Sequence, residues 1–209
     1  MANKILLVGD GGHSKSVLDS LKASSFYCEI GIVSKIKGEN NELKVVGCDN
    51  DLERLFNEGW NYAFITVGSV GDVNTRKRIY STLKRIGFVV PNIIDKSAIV
   101  SETATLGEGI FVGKGAIINA SSIVGNCSII NTNAVVEHDC KIGEFVHISP
   151  NSTLCGDVCV GNDSHIGAGS VVKQDLTIGS NTLIGIGSIV TKNIESNVIA
   201  YGNPCMVKN

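Results

Sequence analysis

An aliphatic residue recurs at every sixth position through the second half of the chain. Between Val100 and Val190, all 16 positions spaced by six hold Val, Ile or Leu. A small side chain precedes most of them by two residues, and Gly or Asn often follows. A period of six differs from the helical repeat of about 3.6 residues and from the two-residue alternation of a flat strand, but it is a signature of a parallel β-helix. The pattern therefore predicts stacked short strands whose aliphatic side chains point inward.

The same pattern predicts which outward residues stack on one another. In a left-handed β-helix, the known fold that this repeat suggests, three hexads form one coil and residues 18 apart stack at a strand spacing of about 4.8 Å. Two columns of outward residues then stand out, a mostly apolar one and one that contains two histidines. They are Ile99, Ile117, Val135, Thr153, Val171, Ile189, and Phe111, Ile129, His147, His165, Leu183. The first column predicts a homo-oligomer with rotational symmetry, expected to be a homotrimer, unless its residues only favour strand formation.

Residues 1–92 follow a different pattern, in which strands alternate with helices. The predicted strands are Lys4–Gly9, Cys28–Val33, Lys44–Gly47 and Tyr62–Val67, and the predicted helices are Ser14–Leu21, one that begins near a cap at Asp49 or Asn50, and Asn74–Ile86. This alternation predicts a small parallel sheet. The expected fold is an α/β, Rossmann-like domain at 1–92, an all-β left-handed parallel β-helix at 93–193 and a C-terminal tail at 194–209.

Charge and cysteine content exclude several classes of protein. The net charge is −2, without a long basic run, so nucleic acid is not an expected partner. No apolar stretch is long enough for a signal peptide core or a membrane span, and the seven cysteines are odd in number and form no C-x-x-C pair. The sequence predicts a cytoplasmic protein with reduced thiols and no membrane insertion.

Two glycine-rich turns are the candidate ligand sites of the first domain. Gly9 to Ser14 joins a strand to a helix, where bare amides and the helix N-terminus favour an anion. Ser14 replaces the third glycine of a dinucleotide fingerprint, and Lys35 follows the second strand where an acidic residue would bind ribose. Gly68 to Asp72 follows a later strand and is expected along the same sheet edge. Two interpretations are compatible with this placement: a ligand cleft, or tight turns with a purely structural role.

Motifs along nearly the whole chain resemble the hexapeptide-repeat sugar acetyltransferases, in particular the sialic acid O-acetyltransferase (NeuD) type. They are Gly11–Lys15, Gly68 with Thr75–Lys77, Asn92–Ala98, Val136–His138 with Ile142 and Gly143, and Gly202–Pro204. The resemblance implies acetyl-CoA as cosubstrate, no metal, and a place in bacterial capsule or glycan assembly. Its acceptor would be a hydroxyl of sialic acid, free or activated, or the 4-amine of a UDP-linked amino sugar. Lys35 stands where UDP-sugar-binding relatives carry paired aspartates, which favours sialic acid.

The resemblance also implies the roles of individual residues. His138 matches the general base, which suits an imidazole whose ordinary pKa is near 6.5, and Asp139, or less readily Glu137, would hold its other ring nitrogen. His147 matches a histidine that contacts acetyl-CoA. Residues with little or no side chain would let the pantetheine arm approach the backbone at Gly156, Gly167, Ala168 and Gly185. The acceptor would contact Gly11, Gly12, His13, Ser14, Lys15, Lys35 and Gly68.

Two further classes of function compete with acetyl transfer. Carbonic anhydrases of the β-helix type hold zinc with three histidines, and His138, His147 and His165 are a possible set. Those enzymes place two of their histidines five residues apart, whereas the spacings here are 9 and 18. His165 is therefore expected to be a solvated residue of the coil. The other alternative is a non-catalytic assembly protein, in which the β-helix only forms a trimer rod.

Overall fold

The computed structural model describes residues 3–22, 26–34 and 44–208. These residues form two compact units. The first contains the described residues up to Ser69 together with Asn74–Ile93, and the second contains Val70–Val73 and the chain from Ile94 onward. No helix within the described ranges is long and apolar enough to cross a membrane.

The first unit is built on a four-stranded, fully parallel sheet, as the alternation of strands and helices predicts. Its strands are β1 (Lys4–Val8), β2 (Glu29–Val33), β3 (Val45–Gly47) and β4 (Tyr62–Ile65), in the spatial order β3-β2-β1-β4. Its helices are α1 (Gly12–Lys22), α2 (Leu52–Asn57) and α3 (Asn74–Ile86), and a 3-10 turn at Asp49–Asp51 precedes α2. Apart from Lys4, the inner strand β1 is apolar and buried, as is typical of strands inside a parallel sheet.

The second unit is a parallel β-helix of three sheets, each of which forms one face. The Lys141 face contains the strands Thr105–Leu106, Ile123–Val124, Lys141–Ile142, Cys159–Val160 and Thr177–Ile178. The His147 face contains Ile93–Ile94, Phe111–Val112, Ile129–Ile130, His147–Ile148, His165–Ile166, Leu183–Ile184 and Ile199–Tyr201, with Met206–Val207 paired antiparallel at its end. The Val135 face contains Ile99–Val100, Ile117–Ile118, Val135–Val136, Thr153–Leu154, Val171–Val172 and Ile189–Val190.

The six-residue repeat places its aliphatic residues in the core of the coil. From Val112 to Val190, every one of these side chains is at most 3% exposed, whereas Val100 and Leu106 at the first coil are only partly buried. The register pairs residues 18 apart, as in Val135 with Thr153 and His147 with His165. Both predicted columns therefore exist as continuous rows on one face each.

The turns between strands require a left-handed backbone at every sixth residue. From Gly109 to Gly187, each residue three positions before an inward aliphatic has a φ between 53° and 70°. Gly, Asn and Asp tolerate this conformation best, and all of these positions except Ser121, Cys127 and Phe145 carry one of the three. The turn residues are therefore part of the sequence signal for the coil.

Buried serines occupy several of the positions two residues before an inward aliphatic, and their hydroxyls bond to the backbone of the coil. The hydroxyls of five serines donate to the carbonyl oxygen 15 residues further on, at 2.6 to 3.0 Å. They are Ser122, Ser128, Ser152, Ser164 and Ser170. Four of them also accept the backbone N–H 18 residues further on. These bonds satisfy backbone groups in the interior, where an unpaired polar group would be costly.

Candidate active site

His138 and Asp139 form a hydrogen-bonded pair at the turn that follows the strand Val135–Val136. The Nδ1 of His138 lies 2.8 Å from a carboxylate oxygen of Asp139. Asp139 has a φ of 61°, so it occupies the left-handed turn position of its hexad. Because a carboxylate only accepts hydrogen bonds, Nδ1 carries the proton, and Nε2 is the ring nitrogen that can take up another proton.

Neighbouring coils fix the surroundings of the His138 ring. A Cβ atom at Gly156 would lie 2.6 Å from both Nε2 and Cε1 of His138, so the ring packs over the bare backbone of Gly156 and a larger residue there would displace it. On the preceding coil, the amide nitrogen of Asn119 donates to a carboxylate oxygen of Glu137 at 2.9 Å. Glu137 is thus held by Asn119, and Asp139 is the carboxylate that bonds the imidazole. Asn119 was not predicted from the sequence, because its contact spans a full coil.

The electrostatic surroundings of His138 favour its protonated form. The hydrogen bond that His138 donates to Asp139 raises the pKa of His138 above its ordinary value of 6.5, and the nearby charges of Asp139, Glu137 and Asp157 act in the same direction. Partial desolvation opposes them. The ring remains largely exposed, so it is accessible to a reactant.

His147 and His165 lie together on the His147 face. Their ring centroids are 4.8 Å apart and their planes meet at 87°. The Nε2 of His147 is 3.1 Å from the amide nitrogen of Asn131, and the Nε2 of His165 is 3.1 Å from the hydroxyl of Ser149. The expectation that His165 is solvated is wrong, because its place between stacked coils leaves it only 8% exposed.

The three histidines of the zinc hypothesis do not form a metal-ligand cluster. Among residues 3–22, 26–34 and 44–208, no group of three or more His, Cys, Asp or Glu side chains is placed to hold a metal ion. His138 bonds Asp139, while His147 and His165 pack against each other.

Two of the glycines predicted to admit pantetheine, Gly167 and Gly185, are closed off by the next coil. A Cβ at Gly167 would lie 2.5 Å from the backbone nitrogen of Ile186, and one at Gly185 would lie 2.7 Å from Tyr201. Both glycines are therefore required by packing of the next coil. At Gly169 and Gly187, one coil apart, a Cβ would meet no atom within 4 Å. Bare backbone that an extended ligand could approach is thus found beside the half-buried Ala168, at Gly169 and Gly187.

In the first unit, the two glycine-rich turns line one cavity of about 460 Å³. Gly9 has a φ of 118° and lies so close to Val67 that no side chain fits there, and its carbonyl accepts the hydroxyl of Thr66 at 2.6 Å. At Gly11 and Gly12, the start of α1, the space beside the backbone is open to 4 Å. The predicted convergence of the Gly11 and Gly68 turns is therefore seen in the structure.

The other residues predicted to bind the acceptor differ in their roles. Ser14 is 1% exposed and donates both its backbone N–H and its hydroxyl to the carbonyl of Gly11, so it closes the turn. Burial, and next the charge of Arg76, lower the pKa of His13 to about 4, so this ring is neutral near pH 7. Lys15 is exposed. Lys35 lies outside the described residues.

Carboxylates line the cavity, a feature that the sequence did not reveal. Asp10 accepts the hydroxyl of Ser34 at 2.5 Å, and Asp49 lies 3.5 Å from the guanidinium of Arg78. All four residues border the cavity. They reach it from separate elements, so no local motif could have indicated them.

Two protein-family models match the chain. The PglD N-terminal domain matches residues 4–83, and the bacterial transferase hexapeptide, a model of six repeats, matches residues 139–174. A comparison with curated proteins gave no match.

Several solved structures are similar over the full chain. Perosamine N-acetyltransferase from Caulobacter crescentus, solved as a histidine mutant with CoA and GDP-perosamine, is 35% identical, with a TM-score of 0.94 and coverage of 100% of this chain and 98% of that one. The acetyltransferase domain of PglB from Neisseria gonorrhoeae FA1090, solved with acetyl coenzyme A, is 32% identical, with a TM-score of 0.93 and full coverage of both chains. WeeI from Acinetobacter baumannii AYE, at 21% identity and a TM-score of 0.86, shows the same fold.

Proposed function

The chain belongs to the hexapeptide-repeat sugar acetyltransferases with a PglD-type N-terminal domain, and from this we propose that it acetylates the amine of a nucleotide-linked amino sugar. As a member it is an acetyl-CoA-dependent acetyltransferase. The proposal concerns the acceptor, the residues that act on it and the assembly. It replaces sialic acid, the acceptor expected from the sequence, with the wider class to which the alternative considered there, a UDP-linked 4-amino sugar, belongs.

The polar lining of the cavity carries the choice of acceptor. Asp10 and Asp49 place two carboxylates there, and the one guanidinium in the described lining, that of Arg78, already lies beside Asp49. The carboxylate of a sialic acid would meet like charges in this cavity. A nucleotide sugar suits it better, because carboxylates accept hydrogen bonds from ribose hydroxyls, and the amides at Gly11 and Gly12 favour phosphate. The perosamine enzyme, which was solved with a GDP-linked sugar, supports the same choice.

His138 would remove the proton from the acceptor. Acetyl-CoA supplies a thioester whose carbonyl carbon bonds to the amine nitrogen as the bond to sulfur breaks. The amine must lose a proton during this attack, and Nε2 of His138 is a base of suitable strength to accept it. Asp139 holds Nδ1 and stabilises the imidazolium that forms. The thiolate of CoA leaves and takes up a proton, for which the imidazolium is a suitable donor.

The second unit offers contacts for acetyl-CoA at two places. The open backbone at Gly169 and Gly187 leaves room for a narrow, extended chain such as pantetheine. His147 offers a polar ring on the His147 face. Of the small residues predicted to contact pantetheine, Ala168 adjoins the open backbone, whereas Gly156 packs against the His138 ring.

The row of apolar residues on the Val135 face would be the oligomer interface. Ile99 is 63% exposed and Val171 is 36% exposed, although both are large and aliphatic. An aliphatic residue on five of the six strands of this face, interrupted only by Thr153, is unusual on a surface that faces water. Rotational symmetry that places three copies of this face around one axis would cover it, so we expect a homotrimer.

The acceptor is tested by measuring CoA release from acetyl-CoA in the presence of different acceptors. The panel contains GDP-linked and UDP-linked 4-amino sugars, free sialic acid and its nucleotide-activated form. The proposal expects kcat/KM to be at least about 100-fold higher for an amino sugar than for either sialic acid, since a mismatched polar site discriminates by several kcal/mol. Turnover of a sialic acid alone would overturn the choice of acceptor.

A further inference from the structure

Glu137 is the residue of the Glu137–His138–Asp139 motif that the proposed mechanism leaves without a role. The imidazole of His138 bonds Asp139 at 2.8 Å, so Glu137 does not orient the base. Its carboxylate nevertheless comes directly after the strand Val135–Val136, one residue before the base, and its side chain is half-buried. A partly buried charge in this place needs a partner that offsets its lost hydration.

Two donors hold the carboxylate of Glu137 through the same oxygen. The amide nitrogen of Asn119, one coil earlier, donates to Oε2 at 2.9 Å. The backbone N–H of His138 donates to the same atom at 3.4 Å. Among the residues that the structure describes, none donates to the second oxygen, Oε1, which is not buried. Glu137 is therefore fixed in position, with one oxygen available to a ligand.

The negative charge of Glu137 is not neutralised by the described part of the chain. Glu137 forms no ion pair with a lysine or arginine there, and the adjacent imidazole pairs with Asp139 instead. The charge of Glu137 acts on His138, where it helps to raise the pKa of the imidazole. A fixed carboxylate without a cationic partner is suited to bind a cation that a ligand brings.

An amine and a hydroxyl differ in what they offer to His138 and Glu137. Near pH 7 an alkyl amine is largely an ammonium with three N–H donors, like the side chain of lysine. It can donate to Nε2 of His138 and to Oε1 of Glu137 at the same time. A hydroxyl is neutral and has one O–H donor, which the base must receive for the reaction to proceed. A hydroxyl would therefore leave Oε1 of Glu137 without a donor.

We propose that Glu137 binds the ammonium form of the acceptor's amine beside His138 and so selects amines over hydroxyls. This role rests on the proposed function, because it concerns how the same site recognises a nucleotide-linked amino sugar. The bound ammonium first loses one proton to solvent, and the neutral amine keeps its hydrogen bond to Glu137. The amine nitrogen then bonds to the carbonyl carbon of the thioester as the bond to sulfur breaks. Nε2 of His138 accepts the second proton and passes it to the thiolate, while Glu137 remains ionised.

The test is the binding of paired acceptors, measured by calorimetry at pH 7 with CoA bound. Each pair consists of a GDP-linked or UDP-linked 4-amino sugar and the same nucleotide sugar with a 4-hydroxyl. The wild type should bind the amino sugar at least about tenfold more tightly than its hydroxyl counterpart, the effect of one charge-assisted hydrogen bond. Glu137→Gln keeps an oxygen for Asn119 but removes the charge, so this preference should fall to about twofold or less. The Kd of CoA should stay at its wild-type value.

Glu144→Gln is the matched control, because Asn126 donates to Glu144 at 2.8 Å across one coil in the same way. Glu144 lies at the next turn of the chain, after Ile142 and Gly143, and the preference should stay at the wild-type value. If Glu137→Gln does not fold, Glu137→Met removes the charge at a similar side-chain length and carries the same expectation.

Two results overturn the role of Glu137 and leave the proposed function standing. One is a preference for the amine that persists in Glu137→Gln or Glu137→Met. The other is a wild type that acetylates the amino sugar but binds its hydroxyl counterpart equally well. A wild type that binds no amino sugar contradicts the proposed function itself, and the role of Glu137 falls with it.

Discussion

At the scale of single residues, the environment of His138 depends on a turn geometry that the whole coil shares. Asp139 occupies a left-handed turn position of its hexad. From Asn133 to Asn181, Asn or Asp fills seven of these positions, so a carboxylate beside His138 needs no special backbone. His138 and Asp139 were predictable because they are adjacent in sequence. Asn119 and Asn131 were not, because their contacts join different coils and depend on where each side chain points.

The pH dependence of the reaction tests the role of Asp139. A general base acts when deprotonated, so kcat/KM should rise with pH and level off above the pKa of His138, which Asp139 holds above 6.5. Asp139→Asn fits the same left-handed position but removes the negative charge. The inflection should move toward lower pH, and the plateau should fall by about 10- to 100-fold, as measured in pH profiles with one acceptor.

The control for this prediction is Asp175→Asn, which makes the same change at an equivalent turn two coils further along. Its profile should match that of the wild type. An inflection that stays in place in Asp139→Asn would show that another group is the base.

At the scale of elements, the repeat predicts the coil well because every hexad obeys the same two constraints, an inward aliphatic and a left-handed turn.

The start of the second helical segment was harder to predict. Asp49 or Asn50 was expected as its cap, but the carboxylate of Asp51 accepts the backbone N–H of Cys48 at 2.8 Å instead. Both Asp49 and Asn50 lie within the 3-10 turn. Because Asp and Asn residues follow one another here, the sequence does not decide which of them caps the helix, and tertiary packing does.

The open turn at Gly187 gives a prediction about acetyl-CoA. Asn occupies the same column two coils earlier, at Asn151, with a φ of 59°, so Gly187→Asn adds a side chain that this backbone tolerates. If pantetheine runs along this turn, KM for acetyl-CoA should rise about tenfold or more through steric conflict. KM for the acceptor and the Tm should stay near their wild-type values.

Asn181→Gly is a reciprocal control. It removes a side chain at the turn six residues before Gly187 and should leave KM for acetyl-CoA unchanged. An unchanged KM in Gly187→Asn would remove this turn from the cofactor path.

At the scale of the whole molecule, the apolar row on the Val135 face is the feature that a single chain leaves unexplained. The sequence predicted the row because residues 18 apart stack, and the observed register places Val171 beside Thr153 and Ile189. What covers the row depends on a second copy of the chain, so neither the sequence nor the monomer determines it.

A charged substitution in this row tests the trimer. Val171→Asp places a carboxylate at a position that is 36% exposed in the single chain, so the monomer should tolerate it, but a desolvated interface should not. Light scattering should show a trimer for the wild type and smaller species for the variant. Ile123→Asp, at a position 47% exposed on the Lys141 face, should remain trimeric. A wild-type monomer, or equal masses for both variants, would contradict the assigned interface.

The chemical nature of the product tests the central claim most directly. After the reaction with acetyl-CoA and a nucleotide-linked 4-amino sugar, the acetylated product is isolated and treated with hydroxylamine, which cleaves O-acetyl esters but leaves amides intact. Mass spectrometry should show an acetylated nucleotide sugar that survives this treatment and whose formation is lost in His138→Ala. An acetyl group that hydroxylamine removes, or product formed only from sialic acid, would contradict the account.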